Sequence, residues 1–87
     1  MTKTLNMIVI STADEWKVQF ELNGKICTAK CSLRKDVRGQ YDKVFTFQGI
    51  MYKFYVSSNN NEVFGLQVLK INPSFYRKAT NVNLTEI

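Results

Sequence analysis

Histidine is absent from this chain. That removes the commonest general base, the commonest zinc ligand and the usual partner of a serine or cysteine nucleophile. Cysteine is almost as scarce, with only Cys27 and Cys31. Four residues apart on a strand, their Cα atoms would be separated by about 13 Å. A disulfide tolerates less than about 7 Å, and no further cysteine or histidine exists to complete a zinc site. Both are expected as buried free thiols, which suits a reducing compartment. The glycines at 24, 39, 49 and 65 are isolated, so there is no glycine-rich phosphate loop. Long hydrophobic runs are missing as well. No uncharged stretch approaches the roughly 20 apolar residues of a membrane span, and Leu5 to Ile10 is too short for a signal peptide. A cytoplasmic site of action is expected.

What remains is a small basic domain. The 87 residues allow one domain, 1–87, with a single core and little room for a deep cleft besides. With 45% hydrophobic and 22% charged residues, the chain can bury enough apolar surface to fold. Twelve Lys and Arg against seven Asp and Glu leave a net charge of +5. Such an excess favours polyanionic partners: nucleic acid, an acidic protein face or an anionic surface. The plainer reading is solubility, since small domains commonly carry a net charge of about 2–8. Residues with AT-rich codons (Asn, Lys, Ile, Tyr, Phe) are abundant and Lys outnumbers Arg, as in many phages and some low-GC bacteria.

Apolar residues alternate along the chain instead of recurring at helical spacing, which predicts strands. A first strand is expected from Thr4 to Ile10, buried on both faces because Ile8 and Ile10 are apolar alongside Leu5, Met7 and Val9. Trp16, Val18, Phe20 and Leu22 alternate with polar residues up to Asn23-Gly24, the strongest short hairpin signal. That turn pairs Leu22 with Lys25, Phe20 with Cys27, Val18 with Ala29 and Trp16 with Cys31. The other face then pairs Glu21 with Ile26, Gln19 with Thr28 and Lys17 with Lys30. Arg34 to Asp42 reads as a charged loop. A second hairpin centred on Gln48-Gly49 puts Phe45 opposite Tyr52 and Phe47 opposite Ile50. Ser57 to Asn61 is a polar turn, and a long strand follows from Glu62 to Ile71 with a bulge near Gly65. Asn72 as cap and Pro73 at the first position start one or two helical turns through Lys78. Val82 and Leu84 are read as a final short strand. The fold class is therefore mainly β. About six strands form an antiparallel meander, as a strongly curved sheet or a small open barrel of the SH3 or OB kind, with a short C-terminal helical turn. The aromatic surface of such a sheet needs a cover, from closure on itself or from a homodimer.

Chemistry is hard to find in this chain. Glu15-Trp16-Lys17 is an acid-x-Lys arrangement of the kind seen on strands of metal-dependent nucleases. Chance supplies roughly one such triplet in a chain of this composition, and only adjacent Asp14 is available as the second carboxylate. A non-enzymatic protein without a cofactor is the better expectation.

Basic residues interleaved with aromatics are the stronger signal. Lys17 and Lys30 face each other across the first hairpin, an unfavourable pairing that an anion above them would relieve. Two long lysines splaying into water is the plain alternative. Arg34, Lys35 and Arg38 add charge in the loop. Between Glu62 and Glu86 there is no acidic residue, only Lys70, Arg77 and Lys78. Tyr76 lies beside the last two and suits base stacking, while Phe75 is expected to anchor the C-terminal segment in the core. The function expected is binding of RNA or single-stranded nucleic acid, alone or in a protein–RNA assembly. The alternative is a protein-binding inhibitor of an acidic partner, a host defence factor if the origin is a phage.

Overall fold

Two dipeptide turns govern the fold. In the computed structural model, which describes residues 6–79 and 82–86, Asn23 and Gly24 have φ of 53° and 78°, and Gln48 and Gly49 have φ of 49° and 82°. Positive φ at both central residues is the type I′ turn, whose twist matches that of paired strands. The first turn joins β2 (Trp16–Leu22) to β3 (Lys25–Lys35); the second joins β4 (Tyr41–Phe47) to β5 (Ile50–Val56). The registers are those expected: Phe20 faces Cys27 and Lys17 faces Lys30, while Phe45 faces Tyr52 and Phe47 faces Ile50. With β1 (Met7–Ser11) and β6 (Val63–Ile71), six antiparallel strands follow one another in a single sheet. The Val9 amide donates to the Asn61 carbonyl at 2.8 Å and Ile8 bridges to Glu62. The first strand thereby returns to the start of the last, and the mainly β meander curls into a half-barrel.

Several expectations need correction. β1 is fully covered on one face only: Met7 is 2% exposed but Ile8 is 39% exposed and Ile10 half-buried, because among the described residues no second layer lies over the convex side. Thr4 and Leu5 lie outside the described residues. The charged stretch from Arg34 to Asp42 is loop only at its centre, residues 36–40; Arg34 and Lys35 extend β3 while Tyr41 and Asp42 open β4. Of its cross-strand pairs Arg34–Asp42 and Lys35–Tyr41, Arg34, Lys35 and Tyr41 remain exposed and Asp42 is ion-paired to Lys53, so charge is no obstacle to the ladder. The β2–β3 ladder ends at Lys17–Lys30, one pair short of Trp16–Cys31, and β3 continues with β4 alone. The bulge expected at Gly65 falls on its neighbour: Tyr55 faces Gly65 while Val56 faces Val63, so Phe64 is the extra residue.

The concave face holds the core. Phe20, Phe45, Tyr52 and Phe54 are each at most 2% exposed. Phe45 stacks on Tyr52 with ring centres 5.2 Å apart, and Phe47 meets Phe20 edge-on at 5.0 Å. Each such pair adds about 0.5–1.5 kcal/mol beyond the area it buries. Cys27 and Cys31, both free, line the same face half-buried.

The cover for this face comes from the chain's own C-terminal part. Asn72 caps α1 (Pro73–Lys78) as expected, its side chain accepting from the amides of Ser74 and Phe75. The helix sits directly on the β4–β5 turn. The Asn72 amide donates to the Gly49 carbonyl at 2.7 Å, and a Cβ on Gly49 would lie 2.7 Å from the Tyr76 nitrogen. Beyond the helix, residues Leu84–Glu86 form a 3-10 turn, not the strand expected of Val82 and Leu84. A strand there would need a free ladder partner, whereas a tight turn needs only a socket, and Leu84 is fully buried in the core. The concave aromatic face is thus covered from within the chain, whereas Tyr55 and Phe64 remain exposed. Among the described residues no helix is long and apolar enough to cross a membrane.

Candidate nucleic-acid interface

β3 and β4 together outrun their neighbours. β2 leaves β3 after Lys30, and the β4–β5 ladder reaches only to Val44–Lys53. From Leu33 to Lys43 the two strands pair with each other alone, forming a two-stranded arm. Its tip is ordered by Asp36. The Asp36 carboxylate accepts from the Arg38 amide at 2.8 Å, the Gln40 amide at 3.0 Å and the Arg38 guanidinium at 3.2 Å. Gly39, at φ 86°, completes a tight turn with a glycine bulge. The Gln40 amide foremost, with help from Arg38, holds the Asp36 carboxyl below its usual range.

The two faces of the arm differ in charge. One carries the pairs Leu33–Lys43 and Lys35–Tyr41, an alternation of apolar and cationic side chains with no acid among them. Leu33 is 58% and Tyr41 64% exposed, and neither Lys35 nor Lys43 has an ion pair among the described residues. The other face carries Arg34 opposite Asp42, and Asp42 holds the Lys53 amine at 3.2 Å. That amine also lies 5.2 Å from the centre of the Tyr55 ring. Tyr55 and then Asp42 raise its pKa above the ordinary value. Tyr55 in turn stacks on Phe64, with ring centres 6.1 Å apart, and its ring lies over Gly65, where a Cβ would come within 3.1 Å.

The cations predicted from sequence fall into three groups. Arg34, Lys35 and Arg38 are on the arm, although Arg38 is already tied to Asp36. Lys17, Lys30 and Lys70 cross the convex face in one row. Lys17 faces Lys30, Lys30 lies beside Thr46 in the register that pairs Cys31 with Phe45, and Thr46 faces Met51, which faces Lys70. Lys17 is partly neutralised by Glu15 at 3.6 Å, so the acid-x-Lys triplet is occupied as an ion pair. Among the described residues no three His, Cys, Asp or Glu side chains converge as metal ligands. Arg77 and Lys78 form the third group, exposed in the last turn of α1 where cations favour the helix dipole. The helix rests on the Gly49 turn, at the other end of β4 from the arm. The structure therefore does not bring Arg77 and Lys78 to the arm.

The two helix aromatics are the reverse of expectation. Tyr76 is half-buried against the core while Phe75 is 66% exposed. Both residues lie against the Gly49 turn, the Tyr76 nitrogen and the Phe75 Cβ alike, but only the Tyr76 ring packs on the core. Sequence reasoning missed Tyr41, Lys43, Lys53, Tyr55 and Phe64. The signal was available in part: the Gln48-Gly49 register, run backwards past Val44–Lys53, aligns Asp42 with Tyr55 and puts Lys53 on the same face, diagonal to Asp42. Comparison with protein-family models, curated proteins and solved structures finds no match.

Proposed function

We propose that this protein binds RNA or single-stranded nucleic acid without chemically altering it, using the β3–β4 arm as its main contact and the lysine row of the convex face as an extension. The observation that carries the reading is the acid-free face of the arm, where exposed Tyr41 stands between Lys35 and Lys43. A single strand offers alternating bases and phosphates. An aromatic ring stacks the former and lysines neutralise the latter. Two free thiols fit a reducing, cytoplasmic setting. The test is fluorescence anisotropy with a short single-stranded RNA over a salt series. Contacts of this kind lose affinity steeply with salt and depend little on sequence. Absence of saturable binding at about 50 mM salt ends the proposal.

One observation favours the alternative of a protein-binding inhibitor. Val37 at the tip of the arm is wholly exposed and Leu33 at its base is 58% exposed, and exposed apolar side chains beside cations also fit a pocket on an acidic protein. Pull-down from native lysate separates the two readings. A nucleic-acid binder loses its co-purifying material to RNase, whereas an inhibitor retains one protein.

A further inference from the structure

The sheet forks at the base of the arm. The β4–β5 ladder stops at Val44–Lys53, although β4 starts at Tyr41 and β5 runs on to Val56. Between the two overhangs is a notch of about 300 Å³, walled by Tyr41, Asp42, Lys43, Lys53, Tyr55 and Phe64, with buried Phe54 beneath. That volume is at the low end of pockets that hold small molecules, about 300–1,000 Å³.

We propose that this notch takes one unpaired nucleobase, with the adjoining phosphate on Lys43; the proposal rests on the nucleic-acid reading above. Aromatic side chains stand on both walls, Tyr41 from the arm and Phe64 from β6. Phe64 is the extra residue where β6 bulges against Tyr55 and Val56, and bulges of this sort re-aim side chains next to binding sites. It is 64% exposed even while stacked on Tyr55, and Tyr55 is itself fixed over Gly65. The result is a braced aromatic surface turned toward water. The two lysines have different roles. Lys53 is committed to Asp42 and Tyr55 and closes the fork, whereas Lys43 has no ion pair among the described residues and is available to a phosphate. A base enters such a notch through its faces, which are stacked away inside a duplex. The site therefore selects single strands or looped-out nucleotides, with little regard to which base is offered.

The probe is a short oligouridylate carrying one 2-aminopurine, whose fluorescence is quenched when the base stacks. With the full chain, binding should quench the probe, and a duplex of the same sequence should bind more weakly and without quenching. Phe64→Ala should weaken single-strand binding by about 5- to 140-fold, the loss expected of one stacked base, and abolish the quench while leaving the salt slope unchanged. Phe64→Tyr should restore both, and Tyr41→Ala should reproduce the defect from the other wall, so neither result depends on one variant remaining folded. If wild-type protein binds the probe but Phe64→Ala and Tyr41→Ala bind and quench equally well, the notch proposal is wrong and the broader reading stands. If wild-type protein binds no RNA at all, both fail together.

Discussion

Tyr52 and Leu84, distant in the chain, meet in the core through a hydrogen bond. The Leu84 amide donates to the Tyr52 hydroxyl at 3.0 Å, and the same hydroxyl donates to the Val82 carbonyl at 3.5 Å. Both residues have no exposed surface. The contact fastens the C-terminal turn over a half-barrel that would otherwise open its aromatic face to water. It also explains why the central ring of β5 is a tyrosine: a phenylalanine would fill the space but leave the Leu84 amide without its acceptor.

Tyr52→Phe should therefore cost about 1–3 kcal/mol, the penalty of a buried amide left unsatisfied. For a domain of this size each kcal/mol lowers Tm by roughly 4–8 °C. Leu84→Ala should cost about 2–5 kcal/mol by leaving a cavity. Thermal unfolding followed by circular dichroism measures both. A Tyr52→Phe protein that melts with the wild type would show that the C-terminal turn does not close the barrel.

The two type I′ turns allow a controlled comparison. Gly24 and Gly49 have nearly the same φ, 78° and 82°, but nothing lies within 4 Å of a Cβ on Gly24. Gly24→Ala reports backbone strain alone, about 1–2 kcal/mol. Gly49→Ala adds a collision with the Tyr76 nitrogen at 2.7 Å and must displace α1, for a further cost of about 1–3 kcal/mol. Melting temperatures of the two variants settle the point. Equal losses would mean that the helix does not rest on the turn.

What the sequence disclosed, and what it concealed, divides along physical lines. Asn23-Gly24 and Gln48-Gly49 specify local backbone geometry, and the period-2 alternation around them then dictates register, so Phe20–Cys27 and Phe45–Tyr52 were legible. The arm was not, because Arg34, Lys35 and Asp42 resemble loop residues when counted by charge. Their pairing depends on strand length, which hydrophobic alternation cannot report once neither face is buried. Leu84 and Tyr76 were misjudged for another reason: their burial is decided by what lies across the barrel, not by their neighbours in sequence. Phe64 is an exposed ring at one of the two places where β6 shifts register against β5.

Cys31 provides a test by pH. Burial pushes its thiol up from 9.0 to about 11, against the lowering influence of a hydrogen bond with the Val18 backbone. The folded state therefore holds the proton more tightly than the unfolded chain. The associated stability is present below the unfolded value and is lost as pH rises from about 9 toward about 11. Alkylation by iodoacetamide at pH 8, located by mass spectrometry, should label Cys31 slowly in native protein and readily in denaturant. Native labelling at the rate of a free thiol would contradict its placement on the concave face.

Arm cations should differ in their effect on binding according to what already holds them. On a single strand each phosphate contact contributes a log–log salt slope of roughly −0.7. Lys35 and Lys43 have no ion pair among the described residues, so Lys35→Ala with Lys43→Ala should flatten the slope by about 1.4. Arg38 is held by Asp36 at 3.2 Å. Its guanidinium must leave that carboxylate to reach a phosphate, and Arg38→Ala should flatten the slope by much less. Arg77 and Lys78 sit at the other end of β4, so replacing both with alanine should change binding less than the arm pair does. These side chains are exposed, and surface substitutions on the arm should shift stability by no more than about 0.5 kcal/mol. Anisotropy titrations of a short single-stranded RNA at several salt concentrations rank the three variants. A helix-end variant with the larger loss of slope would move the interface off the arm and onto the face that carries α1.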